Sequence, residues 1–187
     1  MSRPGPRFDA FVRQLEQAYI GGVDEAPLLD AVCAAMRSLV AVDDWLPEAL
    51  ARPDPQYYRQ YLLHVDPAQR FSVVSFVWGP GQRTPVHDHL AWGVIGMLRG
   101  AELAQPYRFT DGRLVPDGPA QRLDPGDVAA VSPRIGDIHR VSNVHDDRVS
   151  ISIHAYGTDI GRQQRHVFDP QTGQAKDFVS GYSPVVP

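Results

Sequence analysis

The chain has one cysteine in 187 residues, Cys33. No internal disulfide can form, which agrees with a reducing compartment. No apolar run approaches the roughly 18 residues that a bilayer span requires. The opening Met-Ser-Arg-Pro-Gly-Pro-Arg-Phe-Asp has no apolar core of a secretory leader. These absences predict a cytoplasmic protein with no membrane partner. Positive charge is not in excess either. The 18 Lys and Arg against 22 Asp and Glu leave a net charge of -4. That gives no electrostatic reason to expect nucleic acid. There is no internal repeat and no low-complexity tract.

What is present is ordinary for a globular chain: 43% hydrophobic and 21% charged residues. The length suits one domain, or a domain with an extension. Residues 8 to 50 read as helices. Phe8, Phe11, Val12, Leu15 and Tyr19 form a helical stripe that Gly21-Gly22 should end. A second stripe from Ala26 to Val40 contains Cys33, which reads as a buried small hydrophobe. Asp43 or Asp44 is expected to cap a short third helix at Leu46–Ala51. Arg52-Pro53-Asp54-Pro55 then breaks the chain. After residue 56, short β-branched and aromatic runs alternate with Gly, Pro and Asp, as in an antiparallel sandwich or barrel. Strands are expected at Tyr58–His64, Phe71–Trp78, Thr84–His87, Trp92–Arg99, Ala101–Phe109, Asp127–Val131, His139–Ser142 and Val149–Tyr156. That makes a mainly β jelly roll over 56–187. Residues 1–55 form a helical extension of the same unit. A turn is expected at Asp169 to Gly173 in the tail.

Two histidines one residue apart, His87 and His89, follow Gly81 in Gly81-Gln-Arg-Thr-Pro-Val-His87-Asp88-His89. On a strand, i and i+2 share a face, so both imidazoles can aim into one cavity. A third, His139, could join them from a neighbouring strand and leave positions open for substrate. Nitrogen ligation of this kind suits iron, zinc, nickel or copper. Asp88, between the two, should face away and form a structural ion pair.

The strand Val149–Tyr156 alternates strictly. Ser152, His154 and Tyr156 share one face; Ile151, Ile153 and Ala155 share the other. Either the polar face meets water, or the arrangement is inverted. In the inverted case the polar face lines the cavity with the metal, and the N-terminal helices cover the isoleucines.

The histidine spacing resembles the first cupin motif: Gly81, His87, His89 and Gly100 fall into place. The motif's glutamate is missing, since its permitted positions hold Gly93 and Val94. The second cupin motif is echoed by Gly126, Pro133, Gly136, His139 and Asn143, with two spacings one residue longer. The resemblance covers roughly residues 70 to 157. With Ser152-x-His154-x-Tyr156 downstream, the chain resembles the thiol dioxygenases, the cysteine dioxygenase family. That resemblance implies a cupin, or double-stranded β-helix, with the N-terminal helices packed outside. It implies one Fe(II) per chain on His87, His89 and His139, oxidising a small thiol to its sulfinate with O2. Ser152, His154 and Tyr156 then match the family's relay, which sets the tyrosine hydroxyl beside the iron. Some members cross-link a cysteine to that tyrosine. Here Gly93 or Val94 stands at the position, so no Cys–Tyr cross-link is expected.

The resemblance also addresses the substrate. Gln60, in Tyr58-Arg59-Gln60-Tyr61, stands where some members carry a carboxylate-binding arginine. Glutamine there resembles the bacterial 3-mercaptopropionate dioxygenase branch, in which an arginine nine residues after the tyrosine holds the carboxylate. That position is Arg165; Arg162 and Arg59 are competitors. 3-Mercaptopropionate is therefore the favoured substrate, with cysteine or mercaptosuccinate as alternatives. A metal cupin isomerase or decarboxylase would usually keep the motif glutamate. A non-catalytic metabolite-binding cupin would not require the relay. The expected partners are a small thiol and O2, in a monomer or small homo-oligomer.

Overall fold

The computed structural model describes residues 3–20 and 24–185. Helix α1 (Pro6–Ala18) begins on a proline, whose missing N–H costs nothing in the first turn. It buries Phe8, Phe11 and Leu15. Helix α2 (Glu25–Val40) buries Leu28, Leu29, Val32, Met36 and Leu39. Gly21-Gly22, expected to end α1, lies outside the described residues. The third helix is not formed. Only a single 3₁₀ turn, Glu48–Leu50, follows, preceded by Pro47 in extended backbone. Asp43 and Asp44 cannot cap it, because their carboxylates are taken by Arg99 and Arg7.

Among the described residues, twelve strands make two antiparallel sheets. The first holds β1 (Arg59–Val65), β2 (Ser72–Trp78), β4 (Gly93–Arg99), β8 (Val128–Val131) and β10 (Ser150–Tyr156), in the order β1-β2-β10-β4-β8. The second holds β3 (Val86–His87), β5 (Glu102–Thr110), β6 (Arg113–Pro116), β9 (His139–Asn143), β11 (Arg165–Phe168) and β12 (Ala175–Phe178). Its order is β12-β11-β3-β9-β5-β6, and β7 (Gln121–Leu123) also pairs with β5. The two faces enclose the interior of a double-stranded β-helix.

All eight expected strands exist, within a few residues at their ends, except that the third contracts to Val86–His87. Four were not anticipated: β6, β7, β11 and β12. They are only three or four residues long, and their pairing partners rather than their own pattern make them strands. The turn at Asp169–Gly173 joins β11 to β12, closed by the Gly173 N–H donating to the Asp169 carbonyl at 2.8 Å.

Strand β10 takes the inverted orientation. Ile151, Ile153 and Ala155 belong to one buried cluster with Leu15, Val32, Met36 and Leu39 of the helices. Each buried isoleucine contributes roughly 1.5–3 kcal/mol, and a one-residue slip would lose both to the wrong face. The helices thus fix the register that turns Ser152, His154 and Tyr156 inward. Gly96 on β4 permits the close approach of α2: a Cβ there would stand 2.5 Å from Met36 Cγ. Cys33 is half-buried at the edge of this helix–sheet core.

Candidate metal centre

His87 ends β3 and His139 begins β9, and the two are directly opposed across the antiparallel pair. His89 follows two residues on, just past the strand. The three rings form a nearly equilateral triangle, with centroids 4.9, 4.8 and 4.9 Å apart. One nitrogen from each lies within 4.8 Å of the others. Among the described residues this is the one group of at least three His, Cys, Asp or Glu side chains gathered closely enough to hold a metal ion.

Hydrogen bonds fix which nitrogen faces inward. His87 Nδ1 lies 3.1 Å from the Pro85 carbonyl, which can only accept. His89 Nδ1 lies 2.8 Å from Asp137 Oδ1. Both rings therefore carry their proton on Nδ1 and present the Nε2 lone pair, as metal-ligating histidines do. Asp137 also accepts from the backbone N–H groups of His89 and Leu90 at 3.1 and 2.9 Å. Burial pushes its carboxyl up, but these donors outweigh burial and hold it below the usual carboxylate range. Burial, then repulsion from His89, pushes His87 down to about 3. Burial and the other two histidines push His139 well below its ordinary value. His87 and His139 are therefore neutral near pH 7, the form that binds a cation.

Ser152, His154 and Tyr156 are joined as a chain. Ser152 Oγ is 2.8 Å from His154 Nε2, and His154 Nδ1 is 2.8 Å from the Tyr156 hydroxyl. The Tyr156 ring stacks on His89, centroids 5.2 Å apart at 23°. Burial keeps the phenol protonated, against the opposing field of Arg165. Gly93 sits opposite Tyr156 in the β4–β10 register. A Cβ there would stand 2.9 Å from the Tyr156 ring.

Arg165 begins β11, whose Val167 pairs with His87. Its side chain is 4% exposed. Nη1 donates to the Ile160 carbonyl at 2.6 Å, the guanidinium lies 4.5 Å over the Phe178 ring, and Nε has no partner. Burial lowers its pKa; the nearby Tyr156 and Tyr58 act the other way. The competing arginines are committed elsewhere. Arg162 is exposed and faces Asp159 at 3.5 Å, and Arg59 is paired with Asp54. Gln60 is buried, but its amide nitrogen donates to Ser180 Oγ and the Gly181 carbonyl, both at 3.3 Å. Asp88 faces away from the triad and binds the His166 ring at 2.8 Å.

Three participants escaped the sequence. Asp137 orients His89 from a loop, and no spacing rule marks it. Trp78 Nε1 donates to Ser152 Oγ at 3.1 Å. Glu102, 1% exposed, accepts from Ser152 Oγ at 2.9 Å. The available signal for Glu102 was alternation on β5, where Leu103 is 37% exposed and Glu102 takes the inward side.

Solved structures with similar folds include a double-stranded β-helix protein from Klebsiella pneumoniae, 16% identical over 71% of this chain and 87% of that one, TM-score 0.48. A second is an RmlC-like cupin from Desulfovibrio desulfuricans, 26% identical over 57% and 87%, TM-score 0.41. A third is a cupin 2 conserved barrel domain protein from Salinispora arenicola, 22% identical over 61% and 86%, TM-score 0.44. The family model described as cysteine dioxygenase type I matches residues 7–169, from the first helix through the histidine triad and the Ser152–His154–Tyr156 strand to β11. The chain belongs to the cysteine dioxygenase type I family.

Proposed function

We propose that the protein is an iron-dependent thiol dioxygenase that converts 3-mercaptopropionate and O2 to the corresponding sulfinate. The observation that carries the substrate class is Arg165. A buried guanidinium without a carboxylate partner among the described residues is costly, and a substrate carboxylate would relieve that cost. Its position near Tyr156 and His87, both of which feel its charge, directs such a substrate's other end toward the triad. A guanidinium fork suits a carboxylate better than an ammonium does.

The donor set fits a divalent transition metal: three imidazoles, two with their Nδ1 anchored and their Nε2 left free. His87, His89 and His139 would hold one Fe(II). Bound there, the ion would favour the thiolate over the thiol and bring thiol and O2 side by side. Tyr156 is positioned to offer a hydrogen bond beside the triad, with its orientation set by His154 and Ser152. Phe76 and Trp78 pack against this chain and keep water from it. Gln60 shares the strand face of Tyr58 and Leu62 and shapes the substrate end by holding residues 180–183 in place. No Cys–Tyr cross-link forms in this reading. Gly93 lies against Tyr156, and Cys33 belongs to the opposite, helix-covered side of the sheet. The lone cysteine fits a reducing cytoplasm. No helix among the described residues is long and apolar enough to cross a membrane.

The test is metal analysis combined with O2 uptake by the Fe(II)-loaded protein on 3-mercaptopropionate, cysteine, mercaptosuccinate and cysteamine. The reading expects one iron per chain and thiol-dependent uptake greatest for 3-mercaptopropionate. Iron binding without uptake on any thiol would leave a metabolite-binding cupin instead.

A further inference from the structure

Ser152 is hydrogen-bonded to more than the relay requires. Its Oγ has three side-chain neighbours: Trp78 Nε1 at 3.1 Å, Glu102 Oε2 at 2.9 Å and His154 Nε2 at 2.8 Å. Trp78 can only donate, and a hydroxyl has one proton and two lone pairs. Two arrangements satisfy every atom. In one, Glu102 is a carboxylate and accepts from Ser152; His154 carries its proton on Nε2 and gives it to Ser152; Tyr156 donates to His154 Nδ1. In the other, Glu102 is a carboxylic acid and donates to Ser152; Ser152 donates to His154 Nε2; His154 carries its proton on Nδ1 and donates to Tyr156. The tyrosine proton is then free to point away from His154. The second arrangement holds one proton more, and it enters at Glu102.

Deepening the dioxygenase reading, we propose that Glu102 is the proton-exchanging end of a four-membered hydrogen-bond wire, Glu102–Ser152–His154–Tyr156. The polarity of this wire decides whether the Tyr156 hydroxyl is spent on His154 or offered on the side of the three histidines. Glu102 is thereby a positioning residue that acts on the site through Tyr156.

The far end has a route to solvent. Glu102 lines a cavity of about 280 Å³ that is also lined by Asp117, Gln121 and Ile135, all exposed. It stands at the end of β5 away from the triad, opposite Leu123 and Asn143, whereas His139 faces Pro106. The other titratable side chains lining the cavity are Asp137, His139, Tyr107 and Asp117; on the strands paired with β5, Arg122 is opposite Leu103 and Arg140 opposite Gln105. None contributes to its shift. Burial pushes the Glu102 carboxyl up to about 7, opposed only by the Ser152 hydroxyl. Both polarities are therefore populated near neutral pH.

Two measurements test the wire. Nitrogen-15 spectra of the histidine-labelled, zinc-loaded full chain report which His154 nitrogen bears the proton, without any turnover. Nδ1 is expected below about pH 7 and Nε2 above it in the wild type, with no switch in Glu102→Gln. In the iron-loaded enzyme, kcat is expected to fall about tenfold per pH unit above about 7. That limb should vanish in Glu102→Gln and in Tyr156→Phe, and the double variant should match Tyr156→Phe. A His154 tautomer that ignores pH in the wild type, or still switches in Glu102→Gln, overturns the wire. So does a limb that survives Glu102→Gln. If no thiol drives O2 uptake at all, the dioxygenase reading fails while the tautomer measurement still decides the wire.

Discussion

Replacing Arg165 by methionine should separate substrate binding from the rest of the chemistry. Methionine keeps much of the apolar stem beside Phe178 and removes the charge. The arginine spends one donor on the Ile160 carbonyl and leaves Nε without a partner, so its charge is available to a carboxylate. Losing one member of a buried charged pair costs roughly 2–5 kcal/mol, or about 30-fold to a few thousand-fold in binding. We expect the lower half of that range, because an unpaired buried Arg165 is itself unfavourable in the free enzyme. The assay compares kcat/KM for 3-mercaptopropionate and for cysteamine, which has no carboxylate, in wild type and variant. The ratio should fall by about 30-fold or more, chiefly through KM, and Arg165→Lys should recover only part of it. Equal losses on both thiols would refute the anchoring role and leave Arg165 as a structural group tying β11 to Ile160.

Five further outcomes are expected. His139→Ala should lose most of the bound iron while the circular dichroism of the sheets is retained, and Asp137→Asn should weaken metal binding by about 10- to 100-fold in a competition titration. Tyr156→Phe should lower kcat by about 10²- to 10³-fold with KM little changed, since its hydroxyl is argued to act during reaction rather than in binding. Intact and tryptic mass spectrometry should find Tyr156 and Cys33 unlinked; a mass two hydrogens low, mapped to those peptides, would contradict the site geometry. Glu102→Gln should stabilise the fold at alkaline pH. The folded carboxyl is raised from 4.5 to about 7, so the unfolded chain ionises first and wild-type stability falls as pH rises between those values. The gain should approach about 3 kcal/mol above pH 7 and vanish below 4.5, as read by denaturant titration.

The sequence announced those parts of the site that depend on strand periodicity. His87 and His89 share a face by the period of two, and the alternation of β10 delivered Ser152, His154 and Tyr156 once the helices were assigned to the isoleucine face. The helical stripes of residues 8–40 were legible because each buries a continuous apolar face. The third helix was misread because Asp43 and Asp44 are strong caps in isolation, but tertiary ion pairs with Arg99 and Arg7 claim them. Strands β6, β7, β11 and β12 were illegible because each is only three or four residues long, too short to display a period of two. Asp137, Trp78 and Glu102 were invisible for a related reason. Each acts across 48 to 74 residues of chain. A glutamate on a half-exposed strand reads as solvated until its neighbours are known.

The most direct measurement is O2 consumption by the Fe(II)-loaded protein with 3-mercaptopropionate, with the product identified by mass. The account predicts one O2 taken up per thiol consumed, a sulfinate carrying both oxygen atoms, and no uptake by His139→Ala. Stoichiometric iron binding with no thiol-dependent O2 uptake, or uptake that yields disulfide in place of sulfinate, would contradict it.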